Sequence, residues 1–197
     1  MTRPLRTVAV FCGSNNGNLP EYTAAAAHLG ALLAEQGVGL IYGGGKVGLM
    51  GVVADAVLGA GGTATGVIPQ HLWDKEVGHD HLTELLVVGS MHERKLAMAD
   101  RADAFIAMPG GVGTFEELFE AITWTQLGIH DKPVGLLDVA GFYGPLLGFL
   151  DDTVAAGFLR PGHRSMITAS ADAADLLAGF RTWQPAEVSK WLDPDER

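Results

Sequence analysis

Short apolar segments alternate along the chain with longer amphipathic segments, and the two kinds differ in periodicity. The short segments are rich in β-branched residues and are largely continuous in hydrophobicity, which is typical of parallel strands buried on both faces. We predict strands at 6–12, 38–42, 63–68, 84–88, 104–108, 133–138 and 165–168.

The longer segments between the predicted strands have apolar positions at helical spacing. We predict helices at 21–36, 47–60, 91–101, 114–127, 143–156, 171–179 and 185–191. Strands that alternate with helices form βαβ units. The sequence therefore predicts an α/β fold, Rossmann-like and doubly wound, with a mostly parallel sheet and helices on both faces. The chain has no low-complexity linker and is expected to form a single domain over residues 1–197.

Glycine-rich segments follow three of the predicted strands. The first glycine loop, CGSNNG, spans 12–17 and includes Gly13 and Ser14; the second, GGGKVG, spans 43–48; the third, MPGGVGT, spans 108–114. The carboxyl ends of parallel strands lie at one edge of a sheet, where ligands bind in open α/β folds. The second and third loops lead into helices, whose N-terminal N–H groups attract anions. We therefore expect a phosphate-bearing ligand at this edge.

Composition narrows the class of protein and of partner. Hydrophobic residues make up 48% of the chain and charged residues 18%, which suits a folded domain. The net charge of -10 argues against binding to nucleic acids or anionic membranes, and no apolar stretch approaches the roughly 20 residues of a membrane span. The single cysteine, Cys12, cannot form an internal disulfide, and the N-terminus lacks a signal-peptide profile. A cytoplasmic location is therefore expected.

The second glycine loop matches the dinucleotide-binding pattern G-x-G-x-x-G through Gly43, Gly45 and Gly48. However, the match follows the second strand rather than the first, and the acidic residue expected about 20 residues further on is missing. The loop also lacks the Ser or Thr that follows the lysine of a P-loop. An NAD-dependent oxidoreductase is a weaker alternative, which calorimetric titration with NAD would discriminate.

No segment has the ligand spacing of a metal site. MHERKLA begins like the zinc motif H-E-x-x-H, but Leu96 stands where the second histidine belongs. His79 and His81 lie in a polar loop, where we predict that both are solvated. Ser90 and Glu93 are spaced as a capping box, so we assign Glu93 to helix initiation rather than to chemistry.

Arg94 and Lys95 lie in the first turn of the helix predicted from residue 91. Cations at this end oppose the helix dipole, and the helix begins beside the glycine loops. The two cations therefore indicate an anionic partner, and a surface ion pair is the alternative.

The helix that follows the third glycine loop carries three glutamates. Thr114 and Glu117 have capping-box spacing, so a helix cap is the alternative to a catalytic role for Glu117. A helical wheel places Glu117 opposite an apolar face that includes Phe119, which predicts that Glu117 faces a ligand or a partner subunit rather than the sheet. Glu116 and Glu120 are predicted to be surface or interface charges.

SMHERK followed by PGGVGTFEE resembles the LONELY GUY (LOG) family, the cytokinin riboside 5'-monophosphate phosphoribohydrolases. The family pattern P-G-G-x-G-T-x-x-E is matched without departure from Pro109 to Glu117, and the upstream Arg-Lys pair is matched by Arg94 and Lys95. VFCGS, YGGGKVGLMG and QLGIHDKPVGLLD extend the resemblance over roughly 7–165. Relatives also carry the label lysine decarboxylase, but nothing here resembles a pyridoxal-phosphate lysine site.

The resemblance implies hydrolysis of the N-glycosidic bond of an adenine-type nucleoside 5'-monophosphate, AMP included, to free base and ribose 5-phosphate. It also implies that no metal or organic cofactor is needed, that the chain forms a homodimer with sites near the interface, and that Arg94 and Glu117 are the catalytic pair. The substrate-binding residues that it implies are Gly13, Ser14, Gly43, Gly44, Gly45, Met91, Lys95, Gly110, Gly111, Val112, Gly113 and Thr114.

This chemistry suits a carboxylate near the ribose, because glycosidic cleavage builds positive charge on the sugar ring. Glu117 could stabilise that charge, attack the ring or orient a water, and Arg94 could assist the leaving base or hold the ribose or phosphate. The 5'-phosphate is expected on the N–H groups of Gly111, Gly113 and Thr114. The alternative is a non-catalytic nucleotide or cofactor carrier on the same fold, which would bind AMP without releasing base.

Overall fold

A computed structural model of the chain describes residues 3–74 and 78–185. Within these ranges one sheet contains β1 (Thr7–Phe11), β2 (Gly39–Tyr42), β3 (Ala64–Pro69), β4 (Glu84–Val88), β5 (Ala104–Ala107), β6 (Val134–Leu137) and β7 (Ile167–Ser170). Neighbouring strands pair in parallel, in the order β4-β3-β2-β1-β5-β6-β7. The predicted Rossmann-like, doubly wound architecture is confirmed.

The strands are connected by helices. These are α1 (Pro20–Glu35), α2 (Gly48–Gly59), α3 (Gln70–Trp73), α4 (Met91–Arg101), α5 (Val112–Leu127), α6 (Gly144–Ala155), α7 (Pro161–Arg164) and α8 (Ala173–Thr182), with a 3-10 turn at Val139–Gly141. The sequence does not predict α3, α7 or the 3-10 turn, because such short segments show no periodicity. The helix predicted at 185–191 lies outside the described residues except for Pro185. Among the helices described, none is both long and apolar enough to cross a membrane.

The apolar core lies on both faces of the sheet, because successive residues of a strand point to opposite faces. In β1, Val8 and Val10 belong to the core beneath α1, α2 and α8, whereas Ala9 and Phe11 belong to the core beneath α4, α5 and α6. All four side chains are almost fully buried. This two-sided burial holds β1 at the centre of the sheet and therefore fixes the loop that follows it.

The order of the strands reverses at β1. The chain adds strands outward from β1 to β4 and then returns to place β5 on the other side of β1. Such a reversal creates a crevice at the carboxyl ends of the strands, which is where ligands bind in open α/β sheets. The first, second and third glycine loops follow β1, β2 and β5, so all three lie at that edge, as predicted.

Candidate active site

Backbone hydrogen bonds join the three glycine loops to one another. The Gly13 amide donates to the Pro109 carbonyl oxygen over 3.1 Å, and the Leu49 amide donates to the Gly13 carbonyl oxygen over 3.0 Å. Gly48 begins α2 with a φ of +63°, and a side chain there would collide with the Ser14 backbone. The loops therefore form one connected rim of main chain.

A cleft of about 270 Å³ opens at this rim. It is lined by Val10, Cys12, Gly13, Ser14, Gly43, Met50, Met91, Arg94, Gly111, Val112, Gly113, Thr114, Glu116 and Glu117. Ten of the fourteen residues predicted for catalysis or binding are in this set. The structure therefore brings together residues that are widely separated in the sequence.

The cleft also contains four residues that the sequence analysis does not assign to the site: Val10, Cys12, Met50 and Glu116. Cys12 stands immediately before Gly13, and Met50 lies in the first turn of α2, just beyond the second glycine loop. The sequence could have identified Cys12 and Met50 as candidate site residues, because both stand next to glycines of the loops. Val10 gives no such signal, because it lies in a buried strand.

Four of the predicted binding residues lie outside the walls of the cleft: Gly44, Gly45, Gly110 and Lys95. The Gly44 carbonyl oxygen accepts a hydrogen bond from the His79 amide over 2.9 Å. Gly45 forms an antiparallel bridge with Gly78. Gly110 lines a neighbouring cavity of about 190 Å³. These glycines shape the loops, whereas the cleft itself is lined by their neighbours.

Lys95 lies in an ion-pair cluster on α4 and α5 rather than at the wall of the cleft. Its Nζ is 3.0 Å from Glu120 Oε1 and also contacts Glu116 Oε1. Burial opposes the charged ammonium, but the hydrogen bonds to Glu116 and Glu120 outweigh it and raise the pKa of Lys95. Glu116 is exposed, as predicted for a surface charge, whereas Glu120 is half-buried, and both pair with Lys95.

Arg94 and Glu117 meet inside the cleft. Arg94 Nη2 lies 3.0 Å from Glu117 Oε1, and the two side chains are only 12% and 10% exposed. The pair connects the N-terminal halves of α4 and α5. Its burial excludes the surface ion pair that was the alternative for Arg94.

The pair leaves hydrogen-bonding capacity unused. Among the residues that the structure describes, the buried atoms Arg94 Nε and Glu117 Oε1 have no aligned hydrogen-bond partner, although Oε1 is at contact distance from Nη2. Buried polar groups are nearly always hydrogen-bonded, and an unpaired one costs about 1–3 kcal/mol. The guanidinium compensates the charge on Oε1, whereas Nε is left without an acceptor, and this unused donor in the wall of the cleft indicates a site for a polar ligand.

Burial also determines the protonation behaviour of the groups in the cleft. Burial raises the pKa of the Glu117 carboxyl above its usual range, and the Arg94 guanidinium counteracts that shift. Burial likewise raises the pKa of the Cys12 thiol, so Cys12 stays a neutral, poorly nucleophilic group. Two carboxyl groups therefore line the cleft: Glu116, which is half exposed and paired with Lys95, and the buried Glu117, whose charged form Arg94 favours.

The third glycine loop leads into α5 without a side-chain cap. The N-cap residue is Gly111, which has no side chain that could accept a hydrogen bond from the first turn. The N–H groups of Val112, Gly113 and Thr114 therefore stand at the wall of the cleft with the positive end of the helix dipole behind them. This is the anion-binding arrangement predicted from the loop and helix pattern.

The start of α5 corrects two predictions about Glu117. Thr114 is the third residue of the helix, so Thr114 and Glu117 cannot form a capping box. Glu117 also lies on the buried face of the helix with Leu118, whereas Phe119 is 38% exposed. The predicted apolar face included Phe119, whereas the observed buried face includes Ala121 and Thr125 and extends to Glu117, whose charge is paired with Arg94. Glu117 also lines the cleft, so its side chain is at the candidate ligand site.

The capping box at the start of α4 is confirmed. The Glu93 amide donates to Ser90 Oγ over 3.2 Å, and the Gly89 amide donates to Glu93 Oε2 over 2.9 Å. Glu93 therefore initiates the helix, as predicted. It also fixes the turn that carries Arg94, the next residue in the chain.

His79 is buried rather than solvated, whereas His81 is exposed. His79 Nε2 lies 2.9 Å from Asp55 Oδ1 on α2. The sequence could not indicate this burial, because its partner is on another element. Within 3–74 and 78–185, no group of three or more His, Cys, Asp or Glu side chains could hold a metal ion.

Comparison with known proteins places the chain among close relatives. It matches the family described as "Possible lysine decarboxylase" over residues 50–180. It is 52% identical over 180 residues to the probable cytokinin riboside 5'-monophosphate phosphoribohydrolase LOGL5 of Oryza sativa subsp. japonica, covering 91% of this chain and 73% of the relative. It is 48% identical over 193 residues to the cytokinin riboside 5'-monophosphate phosphoribohydrolase LOG7 of Arabidopsis thaliana, covering 97% of this chain and 89% of the relative.

Solved structures of lower identity share the fold. The Moco carrier protein of Chlamydomonas reinhardtii superimposes with a TM-score of 0.68 at 22% identity, over 91% of this chain and 97% of that chain. The molybdenum cofactor binding protein of Rippkaea orientalis superimposes equally well, with a TM-score of 0.68 at 22% identity over 91% of this chain and 97% of that chain. Likeness at this identity shows the fold alone. The family match and the relatives at 52% and 48% identity show more: the chain belongs to the LOG family of cytokinin riboside 5'-monophosphate phosphoribohydrolases.

Proposed function

We propose that the chain is a hydrolase that cleaves the N-glycosidic bond of adenine-type nucleoside 5'-monophosphates, AMP and cytokinin riboside monophosphates included. The products are the free base and ribose 5-phosphate. The observation that carries the proposal is the buried Arg94–Glu117 pair, in which Arg94 Nε has no hydrogen-bond acceptor among the described residues, beside the uncapped start of α5. The names of the relatives at 52% and 48% identity support it.

In this proposal the 5'-phosphate binds at the third glycine loop. The N–H groups of Gly113 and Thr114 and the dipole of α5 favour a negative charge there. Glu117 follows Thr114 by three residues, or nearly one helical turn, along the same wall of the cleft. A nucleotide held by its phosphate therefore places its ribose, the next group along, close to the carboxylate.

Glu117 then acts on charge that appears only during the reaction. As the bond between C1' of the ribose and the base nitrogen breaks, the electron pair leaves with the base and positive charge develops on the sugar ring. A carboxylate near that ring stabilises the transition state more than the ground state, which is the condition for a higher rate. Water completes the reaction by adding its oxygen at C1' and supplying a proton for the departing base.

Arg94 supports Glu117 electrostatically. Burial alone raises the pKa of the Glu117 carboxyl and favours the neutral acid, which cannot stabilise a cation. The guanidinium at 3.0 Å offsets part of that effect, although the pKa of Glu117 stays above its usual range. Because Arg94 keeps unused donor capacity at Nε, it can also donate to a bound substrate.

The direct test is incubation of the purified protein with AMP and with N6-isopentenyladenosine monophosphate, followed by chromatography of the products. Equal amounts of free base and ribose 5-phosphate are expected. Adenosine, which lacks the phosphate, is the control substrate and should be cleaved far more slowly. If neither monophosphate yields base at high enzyme concentration, the proposal is wrong; tight AMP binding without cleavage would then favour a carrier.

We also propose that the chain forms a homodimer through the outer face of α5. Val112, Phe119 and Leu127 are exposed apolar residues on one side of this helix, because at 3.6 residues per turn their spacings keep all three within about 80° of one another around the axis. Val112 also lines the cleft, so this stripe begins at the site. A partner that covers the stripe would place the cleft beside the subunit interface.

Light scattering coupled to gel filtration tests this interface. The wild type is expected to show twice the mass of the chain, and Phe119→Glu is expected to show the monomer mass, because a charge in an apolar interface is left without a partner. Phe149→Glu on α6 is the matched control, since Phe149 is an exposed phenylalanine away from α5. A Phe119→Glu variant with the mass of a dimer would contradict the assignment of the interface.

A cytoplasmic location and the absence of nucleic-acid partners remain predictions. They are supported by the single cysteine and by the net charge of -10. Fractionation of the host cell with antibodies against the protein would test the first. A gel-shift assay with duplex DNA and RNA would test the second.

A further inference from the structure

The segment 78–81, which precedes β4, lies against the second glycine loop. Gly78 and Gly45 form an antiparallel bridge, and the His79 amide donates to the Gly44 carbonyl oxygen over 2.9 Å. The adjacent residue of the loop, Gly43, lines the cleft. The second glycine loop therefore contacts this segment through two residues and the cleft through a third.

The side chain of His79 anchors this segment to α2. Its Nδ1 accepts from the His81 amide over 3.2 Å, so the ring hydrogen lies on Nε2, which donates to Asp55 Oδ1 over 2.9 Å. His79 is buried, whereas the Asp55 side chain is 72% exposed. Because the second glycine loop leads directly into α2, the His79–Asp55 bond closes a ring of contacts around that loop.

The second glycine loop in turn limits where Arg94 can lie. Arg94 packs directly on Gly43, where a Cβ would collide with the guanidinium. The same guanidinium contacts Glu117 at 3.0 Å. A shift of the loop would therefore move Gly43 relative to Arg94 and change the distance between the guanidinium and the Glu117 carboxylate. A displacement of about 1 Å in a catalytic group can lower the rate about 10²-fold.

We propose that His79 and Asp55 are positioning residues for Arg94 and act through the second glycine loop. The proposal rests on the proposed hydrolase function. Neither residue is among the described residues that line the cleft, so neither contacts the substrate in this arrangement. The hydrogen bond between His79 and Asp55 fixes the second glycine loop in the position that keeps the Arg94 guanidinium in contact with Glu117.

The first test is Asp55→Ala, which removes an exposed side chain and should leave the fold intact. We expect kcat/KM for AMP to fall about tenfold because the loop loses its anchor. The melting temperature should fall by only a few degrees, because the buried His79 Nε2 loses its acceptor while the core is untouched. Asp151→Ala is the matched control: Asp151 is also an exposed carboxylate, paired with Arg164 Nε at 2.7 Å on other helices. Wild-type kcat/KM in Asp55→Ala would overturn the proposal.

A double-mutant cycle with Arg94→Lys separates positioning from a general structural role. Lysine keeps the charge but lacks the guanidinium that rests on Gly43. The loss caused by Asp55→Ala is therefore expected to shrink to less than about twofold in the Arg94→Lys background, because coupled residues give non-additive effects. Fully additive losses would contradict an action through Arg94.

His79→Phe provides a second variant that keeps most of the ring volume and removes both side-chain hydrogen bonds. Hydrogen exchange of the amides at 43–48 is expected to be faster in His79→Phe and in Asp55→Ala than in the wild type. This measurement does not depend on catalysis. If the wild type releases no base from AMP, the proposed hydrolase function is wrong. If hydrogen exchange at 43–48 is unchanged in both variants, His79 and Asp55 do not position the second glycine loop, whatever the activity of the protein.

Discussion

Replacing Glu117 with Gln is expected to abolish release of adenine from AMP while leaving the affinity for AMP nearly unchanged. Gln preserves the size of the side chain but removes the negative charge that would stabilise the sugar cation. Removing one preorganised electrostatic group costs about 10²–10³-fold in kcat, and we expect a loss of at least that size. Affinity should persist because the phosphate would be held by N–H groups of the main chain.

The measurements are kcat from chromatography of adenine and the dissociation constant of AMP from calorimetry. Glu120→Gln is the control, since Glu120 is a glutamate on the same helix that pairs with Lys95 outside the cleft. It should retain most of the activity. Turnover that survives in Glu117→Gln would exclude a catalytic role for Glu117, and loss of AMP binding would reassign it to substrate binding.

Replacing Arg94 with Gln is expected to lower kcat/KM about 10²-fold and to move the acid limb of the pH–rate profile to higher pH. Burial raises the pKa of Glu117 and Arg94 counteracts this shift, so the pKa rises further without the guanidinium. A carboxyl group with a higher pKa becomes ionised only at higher pH. Because the proposed mechanism needs the ionised form, activity should be lost sooner as the pH falls.

The check is a profile of kcat/KM for AMP from about pH 5 to pH 9, recorded for the wild type and the variant. Arg101→Gln is the matched control, because Arg101 lies on the same helix and pairs with Glu84 at 2.8 Å on the surface. Its profile should overlay that of the wild type. An acid limb that stays in place, or moves to lower pH, in Arg94→Gln would show that Arg94 does not control the protonation of Glu117.

The fold was predictable because its determinants are local. Each strand and each long helix carries its own pattern of apolar residues, and the convergence of the glycine loops follows from parallel pairing alone. The start of α5 was less predictable: Gly111, Val112 and Gly113 have weak helix propensity, yet the helix begins at Val112. Tertiary contacts of the third glycine loop with the first determine that start.

The sequence predicted the glycine loops of the candidate site, but it did not predict which side chains pair with one another across different elements. The burial of Glu117 requires Arg94 from another helix, and the burial of His79 requires Asp55 from α2. Lys95 is adjacent to Arg94 in the sequence but pairs with glutamates of α5 instead of lining the cleft. Partners on distant elements leave no periodic trace in the sequence, so these placements need the three-dimensional structure.

The connected rim of main chain has a consequence for how selectivity could evolve. Every residue except proline offers the same N–H group, and a Cβ at Gly111 or Gly113 would meet no other atom within 4 Å, so substitutions at these two positions leave the proposed phosphate grip intact. The apolar side chains of Met50, Met91 and Val112 face the same cleft and are free to differ in size and shape. Under the proposed function, the main chain binds the 5'-phosphate, which all nucleoside monophosphates share. The three apolar side chains then contact the base, so their substitution could change which base is accepted.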